Sequence, residues 1–448
     1  MYLKRKLASF IGKTTLKTLR LLKKSGSSYP GKVALSVDKD VLSELAHDYE
    51  TIIITGTNGK TLTTALTVQA LKQKYPNLLT NSTGSNMKQG IVSAFLSHKA
   101  KKGEKKIAVL EVDEANLVYV VPHLKPKIIL TTNIFRDQMD RFGEIYTIYQ
   151  KILDGIMLSP ETIVVANGDS PIFHSASLPN KRVFFGFNYQ KDSDLQAHYN
   201  TDGILCPNCE KILRYRSISY SNLGKYYCPN CQFKRPNLDY AVTNIDLLTL
   251  QESVFDIDGH TFTLPISGLY NIYNALAAYS IASLMGISVE DIKTGFKQTQ
   301  RVFGRQEIIH VDDKSLLINL IKNPTGLNQV LDILQFEKNP FTLISVLNDN
   351  YADGQDVSWI WDGQYEQLQD MPIQQLVVGG KRHQEMSLRL EVAGFKKENM
   401  VIAASIQDII EHIKHAPTKH INVLATYTAM LELRKQLSLQ GYVKGELN

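Results

Sequence analysis

Short apolar runs separated by amphipathic stretches recur along most of the chain, and their spacing predicts two successive α/β units. Thr51 to Ile54, Ile107 to Leu110, Ile128 to Leu130 and Ile163 to Ala166 are mostly apolar without polar alternation, the pattern of parallel strands buried on both faces. Helical patterns lie between them, so a doubly wound domain is expected from about residue 49. A polar interruption at about 189 to 237 breaks the series, and a helical stretch from Tyr273 to Met285 follows it. A second series begins near residue 306. There Ile308 to Val311, Phe341 to Leu347, Gln375 to Val378, Met400 to Ala403 and Ile421 to Ala425 read as strands separated by helices. Arg301 to Arg305, with Gly304, is the expected hinge between the two units, and Ser25 to Gly31 reads as a loop.

Composition narrows the class. At 448 residues, 43% hydrophobic and 21% charged, the chain has the profile of a soluble globular protein of two or three domains. It contains no run of about 18 apolar residues and no signal-peptide pattern, so the expected compartment is the cytoplasm. The net charge of +6 is unevenly placed. Lys4, Arg5, Lys6, Lys13, Lys17, Arg20, Lys23 and Lys24 fall within the first 24 residues with no acid among them, which leaves the rest of the chain at −2. Leu3, Leu7, Phe10, Ile11 and Leu22 interleave with those cations at roughly helical spacing. Two readings are open: a helix lying on an anionic membrane surface, and a helix docked on the domain by its apolar stripe.

Candidate chemistry starts at Thr55-Gly56-Thr57-Asn58-Gly59-Lys60-Thr61, between the first strand and a helical pattern. Strand, glycine turn and helix N-terminus in that order make a phosphate cradle, because free backbone N–H groups and the helix dipole face the anion. The spacing is Gly-x-x-Gly-Lys-Thr, shorter than a Walker A loop, which would need glycine at Ile54. In that cradle Lys60 would reach the outer phosphates and the Thr61 hydroxyl would hold Mg²⁺.

All four cysteines lie in two Cys-x₂-Cys knuckles, Cys206/Cys209 and Cys228/Cys231, with 18 residues between them. That spacing predicts a four-thiolate zinc ribbon, closed and therefore structural. No other thiol remains in the chain to act as a nucleophile. Between the knuckles only Lys211, Arg214, Arg216 and Lys225 are basic, so no nucleic-acid partner is expected.

The phosphate loop resembles that of the Mur ligase superfamily, which includes folylpolyglutamate synthases, and further matches follow in order. Leu110-Glu111-Val112-Asp113-Glu114-Ala115 resembles the acidic strand end that holds Mg²⁺ in that family. Thr132-Asn133-Ile134-Phe135-Arg136-Asp137-Gln138-Met139-Asp140 is similar to the family's Asn-Ile-x-x-Asp-His-x-Asp segment, with Gln138 at the usual histidine. Gly268-Leu269-Tyr270-Asn271-Ile272-Tyr273-Asn274-Ala275 resembles the element that meets adenine, with Tyr270 replacing histidine. Gly304-Arg305-Gln306-Glu307 matches the hinge arginine motif, and Ile321-Lys322-Asn323-Pro324 the turn opening the C-terminal domain.

The resemblance covers roughly residues 30 to 440. It implies a central parallel-sheet ATPase domain over 49 to 304 with the zinc ribbon inserted at about 195 to 237, a Rossmann-like C-terminal α/β domain over 305 to 448, and a basic lead-in over 1 to 48. It also implies ATP bound by Gly56, Thr57, Asn58, Gly59, Lys60, Thr61, Asn274 and Arg305. Mg²⁺ is implied on Thr61 and Glu111, with Glu114 the competing ligand. Asn319, where the family usually has aspartate, is implied to touch the ribose.

Only about 54 residues precede the loop, too few for the domain that grips the uridine nucleotide in peptide-adding Mur ligases. That shortfall, the zinc knuckles and the segment Asn348 to Asp362 resemble the ATP-dependent subunits of lipid II isoglutaminyl synthases. The implied reaction is amidation of D-glutamate in the lipid II stem peptide through an acyl phosphate. Lys60 and Arg305 would neutralise the phosphoryl charge, and a separate glutaminase subunit would supply ammonia. Asp356, with Asp349 and Asp353 behind it, is implied to complete that partner's active site. Another amide ligase using a free amino acid, or a zinc-ribbon nucleic-acid binder with a nucleotide switch, fits parts of the same sequence.

Overall fold

The computed structural model describes residues 2–22, 27–81, 85–99, 103–136, 145–197, 201, 203–299 and 304–443. Six parallel strands make the first sheet: β1 (Glu50–Thr55), β2 (Leu78–Thr80), β3 (Ile107–Glu111), β4 (Ile128–Thr131), β5 (Ile163–Asn167) and β6 (Arg182–Phe187). The apolar runs become its centre because each is covered on both faces. Ile52 and Ile54 face the layer of helices Lys60–Lys72 and Leu269–Leu284, whereas Ile53 faces the layer containing Lys88–Ser97, Leu117–Leu124 and Ile145–Met157. All three isoleucines are fully buried, so truncating any one to alanine would cost about 2–5 kcal/mol.

The polar stretch 189 to 237 contributes a separate antiparallel ribbon, β7 (Arg214–Tyr220) with β8 (Leu223–Tyr227). The chain then returns as β9 (Tyr240–Leu248), β10 (Ser253–Ile257) and β11 (His260–Leu264). These extend the sheet to nine strands in the order β11-β10-β9-β6-β5-β4-β1-β3-β2. β9 to β11 were absent from the expected strands because they lack a continuous apolar run: β10 alternates buried with half-buried positions, and β9 and β11 carry exposed ones, at an antiparallel end of the sheet.

The second sheet contains β12 (Arg305–Val311), β13 (Lys314–Leu320), β14 (Phe341–Val346), β15 (Ile373–Gly379), β16 (Met400–Ala403) and β17 (His420–Ala425), in the order β12-β13-β17-β14-β15-β16. All its pairs are parallel except the β12/β13 hairpin. Both units are α/β, with a largely parallel sheet flanked by helices.

Two local readings are corrected. Tyr29 to Gly31 is not loop but the first turn of the helix Tyr29–Val37, with Pro30 where its missing N–H costs nothing. Gly31 allows close helix approach, since a Cβ there would lie 1.9 Å from the Gln89 carbonyl oxygen. The helix predicted from Tyr273 begins earlier, at Leu269, and ends at Leu284. The expected hinge residues Arg301 to Phe303 and the segment Asp137 to Asp140, with Gln138, lie outside the described residues.

Candidate active site

β1, an interior strand, delivers Thr55 to the C-terminal end of the parallel strands, and the helix Lys60–Lys72 starts five residues later. The intervening loop is braced by the strand end that follows β4. Asn133 accepts from the Asn58 N–H at 2.9 Å and donates to the Asn58 carbonyl at 3.1 Å, while its own carbonyl accepts from Thr57 at 2.8 Å. Thr132 Oγ1 donates to the Asn58 carbonyl at 2.8 Å, and the Phe135 N–H donates to Thr57 Oγ1 at 3.2 Å. Gly59 adopts φ 85° at the helix start. A Cβ there would lie 2.1 Å from Asn274 Oδ1, so strain and space both require glycine.

Lys60 lies inside this loop. Its ammonium donates to the Gly56 carbonyl at 2.5 Å and the Thr57 carbonyl at 3.4 Å, and it sits 3.4 Å from Glu114 Oε1. Glu111 ends β3 beside Ile54, and Asn81 clamps its backbone with two hydrogen bonds of 2.7 and 2.9 Å. Thr61, Glu111, Asp113 and Glu114 line one side of a cavity of about 400 Å³, and Arg305, Lys322, Asp353 and Tyr427 come to it from the second sheet's domain. Hydroxyl and carboxylate oxygens are the donors a hard divalent cation takes. A cationic floor with an acidic wall suits a metal-bound polyphosphate.

The domains meet at the loop. Asn58 and Asn323 exchange carboxamide bonds at 3.3 and 3.4 Å, and Asn323 also caps the helix Pro324–Leu334 through the Gly326 N–H. Buried Gln306 bonds both backbone groups of Ser267 and donates to the Tyr270 hydroxyl at 3.1 Å. Beside this junction lies a narrower space of about 50 Å³, lined by Asn58, Gly59, Tyr270, Arg305 and Asn319 among others. Asn274 is buried behind Gly59. Its carbonyl accepts from Thr63 Oγ1 at 3.2 Å and its amide donates to Asn271 at 3.3 Å.

The four cysteine sulfurs lie within 4.8 Å of one another at the base of the ribbon, and Cys206 to Cys231 and Cys209 to Cys228 are each 3.5 Å apart. These distances exceed any S–S bond. Burial pushes the Cys206 thiol up to about 12, while the Lys211 and Asn230 hydrogen bonds hold Cys209 down at about 6.

Against known proteins, residues 54–282 match the Mur ligase middle domain and residues 320–430 match the MurT ligase C-terminal domain. The chain is 49% identical to the lipid II isoglutaminyl synthase (glutamine-hydrolyzing) subunit MurT of Streptococcus pneumoniae, over 94% of this chain and 95% of that protein. It belongs to the MurT family of Mur ligases. Two solved structures share the fold at low identity. A pseudomurein peptide ligase type C from Methanothermus fervidus superposes with TM-score 0.66 at 20% identity, covering 90% of this chain and 81% of that one. A MurF ligase from Thermotoga maritima in complex with ADP gives TM-score 0.63 at 14% identity, covering 91% and 85%.

In this MurT-family chain the three loop aspartates have different surroundings. Asp353 is buried and accepts from the Thr428 N–H and hydroxyl at 2.6 and 2.5 Å, next to the large cavity. Asp349 pairs with Arg382 at 3.3 Å. Asp356 is exposed, and hydrogen bonds from Ser358, helped by the Arg136 charge, hold its carboxyl below the usual range. Sequence reasoning gave no role to Thr132, Asn133, Asn81 or Gln306, which brace the site through bonds that no residue spacing reveals. Thr132, Asn133, Gln306 and Lys322 all stood within the family-like segments without a role of their own; for Lys322 its charge was the available signal.

Proposed function

We propose that this chain is the synthetase subunit of a lipid II isoglutaminyl synthase. It converts the α-carboxyl of D-glutamate in the lipid II stem peptide to an acyl phosphate, which ammonia turns into the amide of D-isoglutamine. The observation that carries the reading is the convergence of Lys60, Thr61, Glu111, Glu114, Arg305 and Lys322 on one cavity in a chain of the MurT family. A carboxylate is a poor electrophile, so phosphorylation must precede attack. Lys60 and Arg305 are placed to offset the charge that moves to the transferred phosphoryl group. Thr61 and Glu111 would hold Mg²⁺, which supplies further neutralisation of the phosphates when bound. With lipid II, ATP and ammonium chloride, the expected product is the amide with one phosphate released per amide, read by mass spectrometry. Phosphate release driven instead by a free amino acid would favour the folylpolyglutamate-like reading.

The ammonia source is a partner. All four cysteines are gathered in one cluster, so a thiol nucleophile for glutamine hydrolysis must lie on another chain, a glutaminase subunit. The exposure and low carboxyl range of Asp356 support its role as the group that orients the partner's histidine, and Asp353 is directed to the ATP cleft instead. Division into a lead-in over 1–48, the ATPase domain over 49–304 with its insertion at about 195–237, and a Rossmann-like unit over 305–448 is the frame adopted for these roles.

We infer that the insertion is a zinc ribbon. Four thiolates at about 2.3 Å from one ion would lie about 3.8 Å apart, close to the 3.5 Å separations present. One equivalent of zinc is expected, and Cys206→Ser should lower the melting temperature by about 4 °C or more, because metal affinity is folding free energy. Metal analysis of protein purified without chelator, finding no zinc, would count against the assignment.

A lipid-linked substrate places the enzyme at the inner face of the plasma membrane. No described helix is long and apolar enough to cross a membrane. The helix Tyr2–Leu21 rests on its neighbours through Ala8 and Gly12, yet Leu3, Leu7 and Phe10 remain 83%, 52% and 68% exposed beside Lys6, Lys13 and Lys17. An apolar stripe flanked by cations suits an anionic bilayer. Lys13→Glu with Lys17→Glu should weaken binding to vesicles containing anionic lipid about tenfold or more, measured by flotation, while activity on a soluble stem peptide is kept. Equal activity losses on vesicle-bound and soluble substrates would instead assign the helix to folding.

A further inference from the structure

The two ends of the ribbon belong to different cores. Cys206, Cys228, Leu213, Tyr215, Tyr226 and Phe233 form a small cluster of their own, whereas Tyr220 and Leu223, flanking the β7/β8 turn, are buried in the core of the nine-stranded domain. Asp169, fully buried, fastens the tip there. Its carboxylate accepts from the Phe187 N–H at 2.7 Å, the Tyr273 hydroxyl at 2.6 Å and Arg235 Nη1 at 2.8 Å, and its carbonyl accepts from Gly224 at 3.0 Å. Gly224 lies on β8 and Arg235 follows the second knuckle, so Asp169 ties β8 through its carbonyl, and the exit of the insertion through its carboxylate, to the helix Leu269–Leu284. The Tyr273 hydroxyl is also 3.0 Å from Ser219 Oγ on β7.

This anchorage aims the tip at the phosphate loop. The Tyr220 ring lies 5.9 Å from Phe135 and, nearly perpendicular at 81°, 5.7 Å from Tyr273. Phe135 is bonded to Thr57, and Tyr273 precedes Asn274, which backs Gly59. Tyr220 is therefore one side chain away from the loop on two routes. It lines both the narrow space beside Asn58, Gly59 and Tyr270 and a neighbouring cavity of about 290 Å³ bounded by Phe135, Arg136, Thr325 and Gln329. Phosphates held at Gly56 to Thr61 would leave this space, lined by Asn58, Gly59 and Tyr220, for the nucleoside. A planar base entering it meets aromatic rings, the surface on which bases stack.

The geometry points to Tyr220, carried on the tip of the cysteine ribbon, as a wall of the nucleobase site. The role rests on the ATP reading of the phosphate loop. The test is calorimetric titration of the full-length chain with a non-hydrolysable ATP analogue and, separately, with inorganic tripolyphosphate, which has phosphates and no base. Tyr220→Leu should weaken the analogue about tenfold and leave tripolyphosphate unchanged, and Tyr220→Phe should stay within about twofold for both. Unchanged analogue affinity in Tyr220→Leu would overturn the proposal. So would an equal loss of both ligands, which marks a disturbed loop rather than a lost base contact. Lys60→Ala serves as the control: if it weakens neither ligand, the phosphate-loop reading fails, whatever Tyr220 does.

Discussion

Lys60→Ala is expected to lower ATP-dependent amidation about 10³-fold or more, with either glutamine or ammonium as nitrogen source, because the step that activates the carboxylate loses its inner cation. The fold should survive at a cost. In the loop Lys60 also faces Glu114, and the two side chains are only 11% and 9% exposed. Truncation leaves that carboxylate without its cation, which should cost about 1–3 kcal/mol. The double variant Lys60→Ala with Glu114→Gln removes the orphaned charge, so its melting temperature should recover toward wild type while turnover stays lost. Recovery of stability together with wild-type turnover would refute the assignment of the loop to phosphate.

Asp356→Asn should separate the two nitrogen sources. The substitution keeps the side-chain size and removes the negative charge that would steady a partner histidine as it takes a proton. Glutamine-dependent amidation is expected to fall about 10²–10⁴-fold, and ammonium-driven amidation to persist, since Lys60, Thr61 and Glu111 line a cavity that Asp356 does not. The comparison is made on a complex shown by size-exclusion chromatography to be intact. If both sources fail together, Asp356 belongs to the ligase centre. If neither is affected, Asp349 is the next residue to test. Asp353 is the poorer choice, because its carboxylate is spent on the start of the helix Tyr427–Leu439 and a substitution there disturbs the cavity it lines.

Linear spacing was enough for the phosphate-loop region and the cysteine knuckles, whose signals lie within a few neighbouring residues, though not for the helix start at Tyr29 to Gly31. The strand-turn-helix order around Gly56 to Thr61 follows from a β-branched run, two glycines and a helix former, and the structure places helix and loop there. The paired Cys-x₂-Cys knuckles were legible in the same way, and the structure gathers their four sulfurs within 4.8 Å of one another. The central parallel strands β1, β3, β4 and β5 were legible as apolar runs, since solvent touches neither of their faces, whereas β2, β6 and β13 were not among the expected strands.

Contacts between distant segments were decided by the tertiary structure alone. The strands β9 to β11 are only partly buried, so their hydrophobic signal is weak and depends on what each face meets. No spacing in the sequence brings Asn133 to the loop, pairs Asn58 with Asn323, or distinguishes an exposed Asp356 from a buried Asp353 bonded to Thr428. The basic first helix shows both kinds of limit at once. Its charges and apolar residues are plain in the sequence, yet that Ala8 and Gly12 form its packed face, leaving Leu3, Leu7 and Phe10 outward, depends on the small-residue fit against Ala34 and Leu96. Burial is a property of pairs of surfaces, and one surface of each pair lies elsewhere in the chain.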